Sequence, residues 1–393
     1  MRKDVASKAM PDFRKPAFRD TLALLVDKHL DLASAYLTTL TALTLGLECE
    51  FIRAADGSAD QGFTGLKEFP LPVFYKVSSG PESDYFWGSV STTRWDPKMA
   101  MLTRSKVMTR NTLAAAGIQT AFGGLATAKK MVVLDEMAKV GISRVLVKPN
   151  HGSRARGIMA NITLAEARAH IEAHPDEQFV AEQYIVGTEY RIFTVGGDFC
   201  ECYAKLRDHV VGNGRKPVAQ LLKEKMLSQL SNPDSRAHAK RNKSKAQYLV
   251  DAGMPPDYVP KLGEFVWLTD DLIPKSRNGL YEAPQVSDQI KQLTREICTC
   301  LNADSVAIDL IDRGEEGSYI LEINAKPGYS GMCFPANAPW NLRLPEAMLR
   351  NSLPNHKDNV RRVKSYNFLK LLEAYRSQSN IPSFFAKDFV EFE

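Results

Sequence analysis

The sequence is poor in cysteine and has no long apolar segment. Its 393 residues include six cysteines, and the close pairs Cys200/Cys202 and Cys298/Cys300 have a single residue between them, so the CxxC spacing is absent. We therefore expect reduced thiols and a cytoplasmic protein. Charged residues interrupt the leucine-rich stretch 22–47, which favours an amphipathic helix over a membrane span. The polar N-terminus lacks the apolar core of a signal peptide.

A dominant charge of one sign is also missing. The chain has 51 Lys and Arg against 46 Asp and Glu, a net charge of +5, and the two signs are well mixed. This distribution is not typical of nucleic-acid binding. A mild positive charge suits an anionic small substrate, although solvated surface charge is the simpler explanation. With 44% hydrophobic residues, a chain of this length is expected to fold as two or three packed subdomains.

The pattern of apolar residues, glycines and prolines predicts a mixture of helices and strands and no internal repeat. The basic, polar stretch 211–242 is interpreted as a helix followed by a mobile, solvated insertion. The other predicted elements are a helix over 21–45, short strands up to residue 100, a helix over 105–117, a strand at 145–149, a helix begun by a Thr163/Glu166 capping box, strands over 179–203, a strand at 265–268, a helix over 287–301, a hairpin over 306–324 and a helical tail after 344.

The predicted hairpin is the most informative of these elements. Glu322 and Asn324 are two residues apart and therefore share one face of the second strand. If Ile311 pairs with Ser318, Asp309 lies diagonal to Glu322 on the same face. Two carboxylates and one amide carbonyl are ligands that suit Mg²⁺, which keeps waters and substrate phosphates in its shell. A polar strand face exposed to solvent explains the same residues equally well.

A glycine-rich segment, 151–157, lies between two predicted strands. Its glycines and serine allow backbone N–H groups to approach phosphates, and its arginines add positive charge. The spacing matches neither a P-loop nor a dinucleotide-binding fingerprint, and most such loops are simple turns. Lys148, at the end of the preceding strand, is a candidate phosphate ligand or an ordinary surface lysine.

A second connection, 182–189, joins two predicted strands. Its backbone can offer alternating donors and acceptors to an adenine edge, and Glu189 can accept the hydroxyl groups of a ribose. A β-turn with an exposed glutamate is the competing interpretation.

In this order, the segments resemble the ATP-grasp superfamily over residues 103–335. Lys106 lies eleven residues before Gly117, the glycine of an Ala-Gly-Ile stop, as in the entry segment of the superfamily. The motifs at 182–191, 209–214 and 321–328 are most similar to the branch that includes cyanophycin synthetase and the ATP-grasp part of bifunctional glutathione synthetase.

The resemblance implies an α/β protein with α+β subdomains, an ATP-grasp fold and an N-terminal substrate-side domain. It implies Mg²⁺, with Mn²⁺ as a substitute, on Asp309, Glu322 and Asn324, and it places Leu321 on the adenine floor. The implied ATP-binding residues are Lys106, Lys148, Gly152, Ser153, Arg154, Gly157, Glu182, Gln183, Ile185, Glu189 and Leu321.

The sequence departs from related ligases in two places. D-alanine–D-alanine ligases carry an arginine two residues before the first metal aspartate, where this chain has Ala307. The cation that stabilises the transferring phosphoryl group must then come from elsewhere, and Arg191 and Lys205 are the candidates. The segment 268–271 lacks the arginines usual in the similar branch.

The activity implied by the resemblance is ATP-dependent ligation of a carboxylate to an amine through an acyl-phosphate, with ADP and phosphate as products. The expected substrates are small molecules, amino acids or dipeptides. Two alternatives remain open: ligation to a peptide or protein, and phosphorylation of a hydroxyl group. His209 is a candidate general base, although a structural histidine is the favoured interpretation.

Domain boundaries follow from the same resemblance. We expect an N-terminal domain over 1–102, a small ATP-grasp subdomain with the glycine-rich lid over 103–181, a second ATP-grasp subdomain over 182–345 and a helical tail over 346–393. Nucleic acid and membrane are not expected partners, and a homodimer is the common assembly of the superfamily.

Overall fold

The computed structural model describes residues 21–22, 25, 30–51, 74–152, 157–231, 248–269, 280–282, 286–334, 340–358 and 371. The contacts divide the chain into two compact units. Unit 1 takes Met1–Trp95, Ala219–Gln247 and Lys326–Glu393, and unit 2 takes Asp96–Val218 and Tyr248–Ala325. Within the described ranges, every helix is too short or too polar to cross a membrane.

The described elements follow the predicted order. The helices are α1 Leu30–Thr44, α2 Pro97–Arg104, α3 Lys106–Ala115, α4 Val132–Lys139, α5 Leu164–Glu172, α6 Val218–Ser231, α7 Asp288–Leu301, α8 Ser330–Cys333 and α9 Arg343–Ser352. The strands are β1 Glu48–Phe51, β2 Phe74–Ser79, β3 Glu82–Trp87, β4 Val90–Ser91, β5 Gly123–Ala126, β6 Arg144–Pro149, β7 Met159–Thr163, β8 Phe179–Gln183, β9 Thr188–Val195, β10 Asp198–Lys205, β11 His209–Val211, β12 Phe265–Trp267, β13 Leu280–Glu282, β14 Ala307–Asp312 and β15 Ser318–Asn324. The predicted insertion after α6 lies largely outside the described residues.

Unit 1 is built on the antiparallel sheet β1-β2-β3-β4, with α1 against it and α9 against α1. The hydroxyl of Tyr329 hydrogen-bonds to Thr38 and donates to the Ser34 carbonyl at 3.1 Å. His356 Nε2 donates to the Leu45 carbonyl at 2.9 Å, which leaves Nδ1 to accept from Ser79 at 2.7 Å. These contacts satisfy polar groups that the unit buries.

The first sheet of unit 2, β5-β8-β6-β7, is antiparallel and carries α4 and α5. Thr163 begins α5 with the predicted capping box, because its hydroxyl accepts from the Glu166 N–H while the Glu166 carboxylate accepts from the Thr163 N–H. The core under the helices consists mainly of Leu134, Met137, Val145, Val147, Ile171, Phe179 and Ala181.

The second sheet of unit 2 has the order β13-β10-β9-β14-β15, so the predicted hairpin forms one edge of it. Helix α7 packs on β10, and α3 contacts β15. Helix α7 is strongly amphipathic, and it ends at Asn302, which adopts a left-handed conformation with φ 49°. Its buried residues recur at helical spacing: Ile290, Thr294, Ile297, Cys298 and Leu301.

The register of the β14–β15 hairpin differs from the predicted one. Asp312, rather than Ile311, pairs with Ser318, because a tight 3₁₀ turn ended by Gly317 at φ 87° shortens the connection. A bulge beside Asp309 leaves Leu321 as an extra residue on β15. The two offsets add up to two residues, so Asp309 lies directly opposite Glu322 and the predicted diagonal arrangement is wrong. The two carboxylates still share a face, because a shift of two residues preserves the side.

Candidate functional site

Lys106 is the first residue of α3. Its ammonium group donates to the Gly152 carbonyl at 2.9 Å and lies 3.8 Å from the Glu322 carboxylate. Burial lowers the pKa of Lys106, and the Glu322 charge only partly offsets that effect. Helix α3 ends before Gly117, whose φ of 79° allows the chain to turn away, as the sequence predicts.

Lys148 lies near the end of β6, and its side chain is buried. Its ammonium forms an ion pair of 2.6 Å with Glu182 and donates to the Leu321 carbonyl at 3.1 Å. Glu182 reaches it because β8 is the neighbour of β6, where Leu146 pairs with Glu182. The interpretation of Lys148 as an ordinary surface lysine is therefore excluded. Both predicted ATP lysines point to the same stretch of β15.

An open cleft lies between α3 and β15. It has about 300 Å³ of empty space, including solvent at its mouth. One wall is helix α3, which contributes Lys106 and Arg110. The facing wall is strand β15, which contributes Glu322. The lining residues are Thr103, Lys106, Thr109, Arg110, Leu113, Thr120, Glu182, Ile320, Leu321, Glu322 and Ile323.

On the second sheet of unit 2, Asp309 forms ion pairs with two basic side chains, Arg191 and Lys205. Asp309 lies opposite Arg191 on β9, and the guanidinium binds the carboxylate through two hydrogen bonds of 2.6 Å each. The Lys205 ammonium lies 3.0 Å from Asp309 and 2.6 Å from Glu189. Both predicted catalytic cations and the predicted ribose-binding glutamate thus belong to one network.

The ionisation of this network follows from its geometry. Burial alone would raise the pKa of Asp309, but Arg191 and Lys205 together hold it well below its usual range. Burial opposes the charge on Arg191 and Lys205, yet Asp309 keeps the pKa of both above the ordinary values. All three groups are therefore charged at neutral pH.

The residues of the hairpin fit a hard divalent cation. Among the described residues, no three His, Cys, Asp or Glu side chains form a ready metal cage, and the predicted set has only two carboxylates and an amide. In the described part of the chain, the buried Nδ2 of Asn324 has no hydrogen-bond partner. Because a carboxamide can present either end, Asn324 is free to turn its oxygen to a cation. Each carboxylate oxygen of Asp309 also has lone pairs beyond those used by Arg191 and Lys205.

The remaining predicted nucleotide residues are only partly placed. Gly152 and Gly157 have φ values of 139° and 70°, and Ser153 and Arg154 lie outside the described residues. In the 182–189 connection, the Gln183 N–H donates to the Phe122 carbonyl at 2.7 Å. The Tyr184 N–H is also used, by the Arg144 carbonyl at 3.0 Å. Two N–H groups of this connection are therefore already bonded within the protein, and its role at an adenine edge stays a prediction.

His209 has the surroundings of a structural residue. It lies on β11 with 1% of its surface exposed, and its Nδ1 donates to the Arg207 carbonyl at 2.7 Å. Its ring packs against Phe265 and Trp267 of β12. The geometry favours this interpretation over a general base.

Two residues of the site were not predicted. Arg110 lines the cleft and donates twice to the Ala121 carbonyl, at 3.0 and 3.2 Å. Asn150 connects β6 to the beginning of α3 through both its backbone and its side chain. Helical spacing from Lys106 could have found Arg110, since residues four apart share a helix face. Nothing local marks Asn150, because its partners at the beginning of α3 lie more than 40 residues away.

Unit 2 has two large sheets, and its lysine and acidic residues converge between α3 and β15. This arrangement is that of the ATP-grasp fold. The structure of a bifunctional glutathione synthetase from Pasteurella multocida superposes on 82% of this chain and 43% of that one, with a TM-score of 0.58 and 18% identity. The predicted α/β ATP-grasp architecture is thereby confirmed.

The sequence relatives agree with the predicted branch. Cyanophycin synthetase of Nostoc sp. (strain PCC 7120 / SAG 25.82 / UTEX 2576) is 25% identical over 244 residues, which are 57% of this chain and 26% of that protein. The bifunctional glutathione biosynthesis protein of Listeria monocytogenes serotype 4b (strain F2365) is 22% identical over 331 residues, 79% of this chain and 43% of that protein. No family model matches the chain. The chain thus spans between about a quarter and two fifths of the length of these curated relatives.

Proposed function

We propose that this chain is an ATP-dependent carboxylate–amine ligase that forms an amide bond through an acyl-phosphate and releases ADP and phosphate. The observation that carries the proposal is the convergence of Lys106 and Lys148 on Leu321–Glu322 of β15, where Glu322 pairs with Asp309 and Asp309 binds two partly buried cationic side chains. The relatives in the comparisons are named for ligase-type syntheses, and this supports the same chemistry here. Amino acids or dipeptides are the proposed substrates.

The roles of the residues follow from charge and position. Lys106 and Lys148 would neutralise the triphosphate of ATP, because their ammonium groups lie against Glu322 and Leu321, adjacent residues of β15. Asp309, Glu322 and Asn324 would hold Mg²⁺, which would neutralise charge on the phosphate oxygens.

Arg191 and Lys205 would stabilise the charge that develops on the transferring phosphoryl group. They are held in place before the reaction by Asp309 and Glu189, so no reorganisation is needed at the moment of transfer. The substrate carboxylate takes the γ-phosphoryl group as its bond to ADP breaks, which gives the acyl-phosphate. The amine then attacks the acyl carbon, a C–N bond forms, the C–O bond to phosphate breaks, and the proton of the amine passes to the leaving phosphate.

Trapping with hydroxylamine tests this reaction class. The protein is incubated with ATP, Mg²⁺ and pooled amino acids, and the products are identified by mass spectrometry. We expect ADP and phosphate, amide product, and hydroxamate when hydroxylamine replaces the amine. Arg191→Ala and Lys205→Ala should slow the trapping, by about 100-fold for the cation nearer the phosphoryl group. Arg168→Ala, which removes an exposed ion pair with Asp135, is the matched control.

Other products would replace the proposal. AMP and pyrophosphate would indicate an adenylating enzyme, and a stable phosphoester without amide would indicate a kinase. Trapping only in the presence of an added peptide would indicate a ligase that modifies peptides.

A further inference from the structure

We propose that Asn150 is a positioning residue that sets the distance between the two ATP lysines, Lys106 and Lys148. The proposal rests on the proposed function, since it assigns a purpose to the spacing of these lysines. Asn150 lies two residues after Lys148 at the end of β6, and it is 3% exposed.

Asn150 caps α3 from outside the helix. The first N–H groups of a helix have no intrahelical partners and need acceptors. The Lys106 N–H donates to the Asn150 carbonyl at 3.2 Å, and the Val107 N–H donates to Asn150 Oδ1 at 3.0 Å. The next N–H, of Met108, is bound by Ser105 Oγ at 3.3 Å. Three successive donors are thus satisfied, two of them by a residue on another element.

The orientation of the Asn150 side chain is fixed by its neighbours. His151 Nδ1 lies 3.2 Å from the Arg104 carbonyl and must carry the proton, because a carbonyl only accepts. His151 Nε2 is then an acceptor, and it receives a hydrogen bond from Asn150 Nδ2 at 3.2 Å. This contact directs Oδ1 to the helix. On the other side, the Asn150 N–H donates to the Gln178 carbonyl at 2.8 Å, which anchors the residue beside the first sheet.

The position of Asn150 matters because Lys106 and Lys148 carry like charges. The Lys106 ammonium lies 3.8 Å from the Glu322 carboxylate, and the Lys148 ammonium lies 3.1 Å from the carbonyl of the adjacent Leu321. Such a pair tends to move apart unless the backbone holds it. The Asn150 contacts join the backbone of Lys106 to the strand that carries Lys148, so the two ammonium groups are pre-organised for one polyphosphate.

The test compares Asn150→Ala, Asn150→Asp and Thr163→Ala in the full chain. Thr163→Ala removes a cap of α5 that has no contact with the cleft, and it serves as a control for lost capping. The probe is a nonhydrolysable ATP analogue with Mg²⁺, and its Kd is measured by calorimetry. We expect Asn150→Ala to raise the Kd by about 10-fold or more, and Thr163→Ala to leave it unchanged at a similar loss of thermal stability. Asn150→Asp keeps the acceptor oxygen and should bind more tightly than Asn150→Ala.

Hydrogen exchange without nucleotide provides the second measurement. Asn150→Ala should speed exchange of the Val107 amide, whose side-chain acceptor it removes, and Asn150→Asp should restore its protection. Equal Kd values for wild type and Asn150→Ala, or equal losses for Asn150→Ala and Thr163→Ala, would overturn the proposal. If the wild type binds no nucleotide, the proposed function fails, and unchanged exchange at Val107 would separately overturn the capping role.

Discussion

Lys148 and Glu182 form the most thoroughly buried ion pair at the described site, with side-chain exposures of 7% and 6%. Removing one partner of such a pair leaves an uncompensated charge in a poorly solvated place. The Leu321 carbonyl bonds to the same ammonium, so the pair also joins β6 and β8 to β15. We infer that these two side chains stabilise the fold as well as the proposed nucleotide site.

Lys148→Met is therefore expected to lower the free energy of unfolding by about 3–5 kcal/mol, because Glu182 loses its partner. Lys148→Met/Glu182→Gln should lose less than Lys148→Met alone, since no unpaired charge remains. Urea unfolding measures both. The exposed Arg168–Asp135 pair provides the control, and Arg168→Ala should cost at most about 1 kcal/mol. A double variant less stable than the single one would refute this account of the pair.

The sequence predicts residue types at this site better than their partners. Lys148, Glu182 and Glu322 are found because each lies in a short local motif. The pairing of Lys148 with Glu182 depends on the alignment of β6 with β8, and Asn150 acts on a helix that begins 44 residues earlier. Such contacts are set by tertiary packing, which local patterns do not specify.

At the scale of elements, the connection between β8 and β9 depends on a close approach. A Cβ atom on Gly187 would lie 2.5 Å from both the Asp312 carbonyl oxygen and Ile311 Cγ2. These atoms belong to β14, the strand that carries Asp309. The absence of a side chain at 187 therefore allows β9 to run alongside β14 and brings Arg191 opposite Asp309.

Gly187→Ala is expected to lower the free energy of unfolding by about 1–3 kcal/mol, as overpacking does in well-packed regions. It should also reduce the proposed ligase activity, because it displaces β9 and with it Arg191. Gly124→Ala is the matched control, since a Cβ there meets only the Val133 side chain, at 3.5 Å or more, which is ordinary contact. Chemical unfolding and turnover are measured on both variants. Equal stability of the two variants would show that β9 and β14 can move apart without a loss in the free energy of unfolding.

Element types were predictable where a local signal is strong, and register was not. The Thr163 capping box, the amphipathic α7 and the hairpin all appear as predicted. The hairpin register depends on the length of its turn and on the bulge at Leu321, and neither has a distinctive sequence pattern. Asp309 and Glu322 still share a face because the shorter turn and the bulge each shift the pairing by one residue, and a total shift of two residues keeps the side.

At the scale of the whole molecule, the described site residues are concentrated in one unit. Lys106, Lys148, Glu189, Asp309 and Glu322 all lie in unit 2, within Asp96–Val218 and Tyr248–Ala325. The predicted boundaries at 102, 181 and 345 divide the chain more finely than the two units, and they stay a prediction. Unit 1 holds the first 95 residues, whose predicted substrate-side role also stays a prediction.

A nucleotide that binds only the folded protein must stabilise it. At 100 times its Kd, an ATP analogue with Mg²⁺ should add about 2.7 kcal/mol to the free energy of unfolding. Hydrogen exchange should show the added protection mainly in peptides of unit 2, because the described ligand residues lie there. A GTP analogue should stabilise less, since the 182–185 backbone is expected to read the adenine edge. EDTA should weaken the effect of the ATP analogue.

Glu322→Gln links this stabilisation to the proposed metal site. The change replaces an anionic ligand with a neutral one of the same shape, and the Mg²⁺-dependent part of the stabilisation should fall along with turnover. Glu316→Gln is the matched control, because Glu316 lies in the turn of the same hairpin and pairs only with Arg313 among the described contacts. Turnover should fall by at least about 10-fold for Glu322→Gln and stay unchanged for Glu316→Gln. If Glu322→Gln keeps the full Mg²⁺-dependent stabilisation and full turnover, Glu322 is not a metal ligand. The proposed nucleotide binding would not be affected by that result.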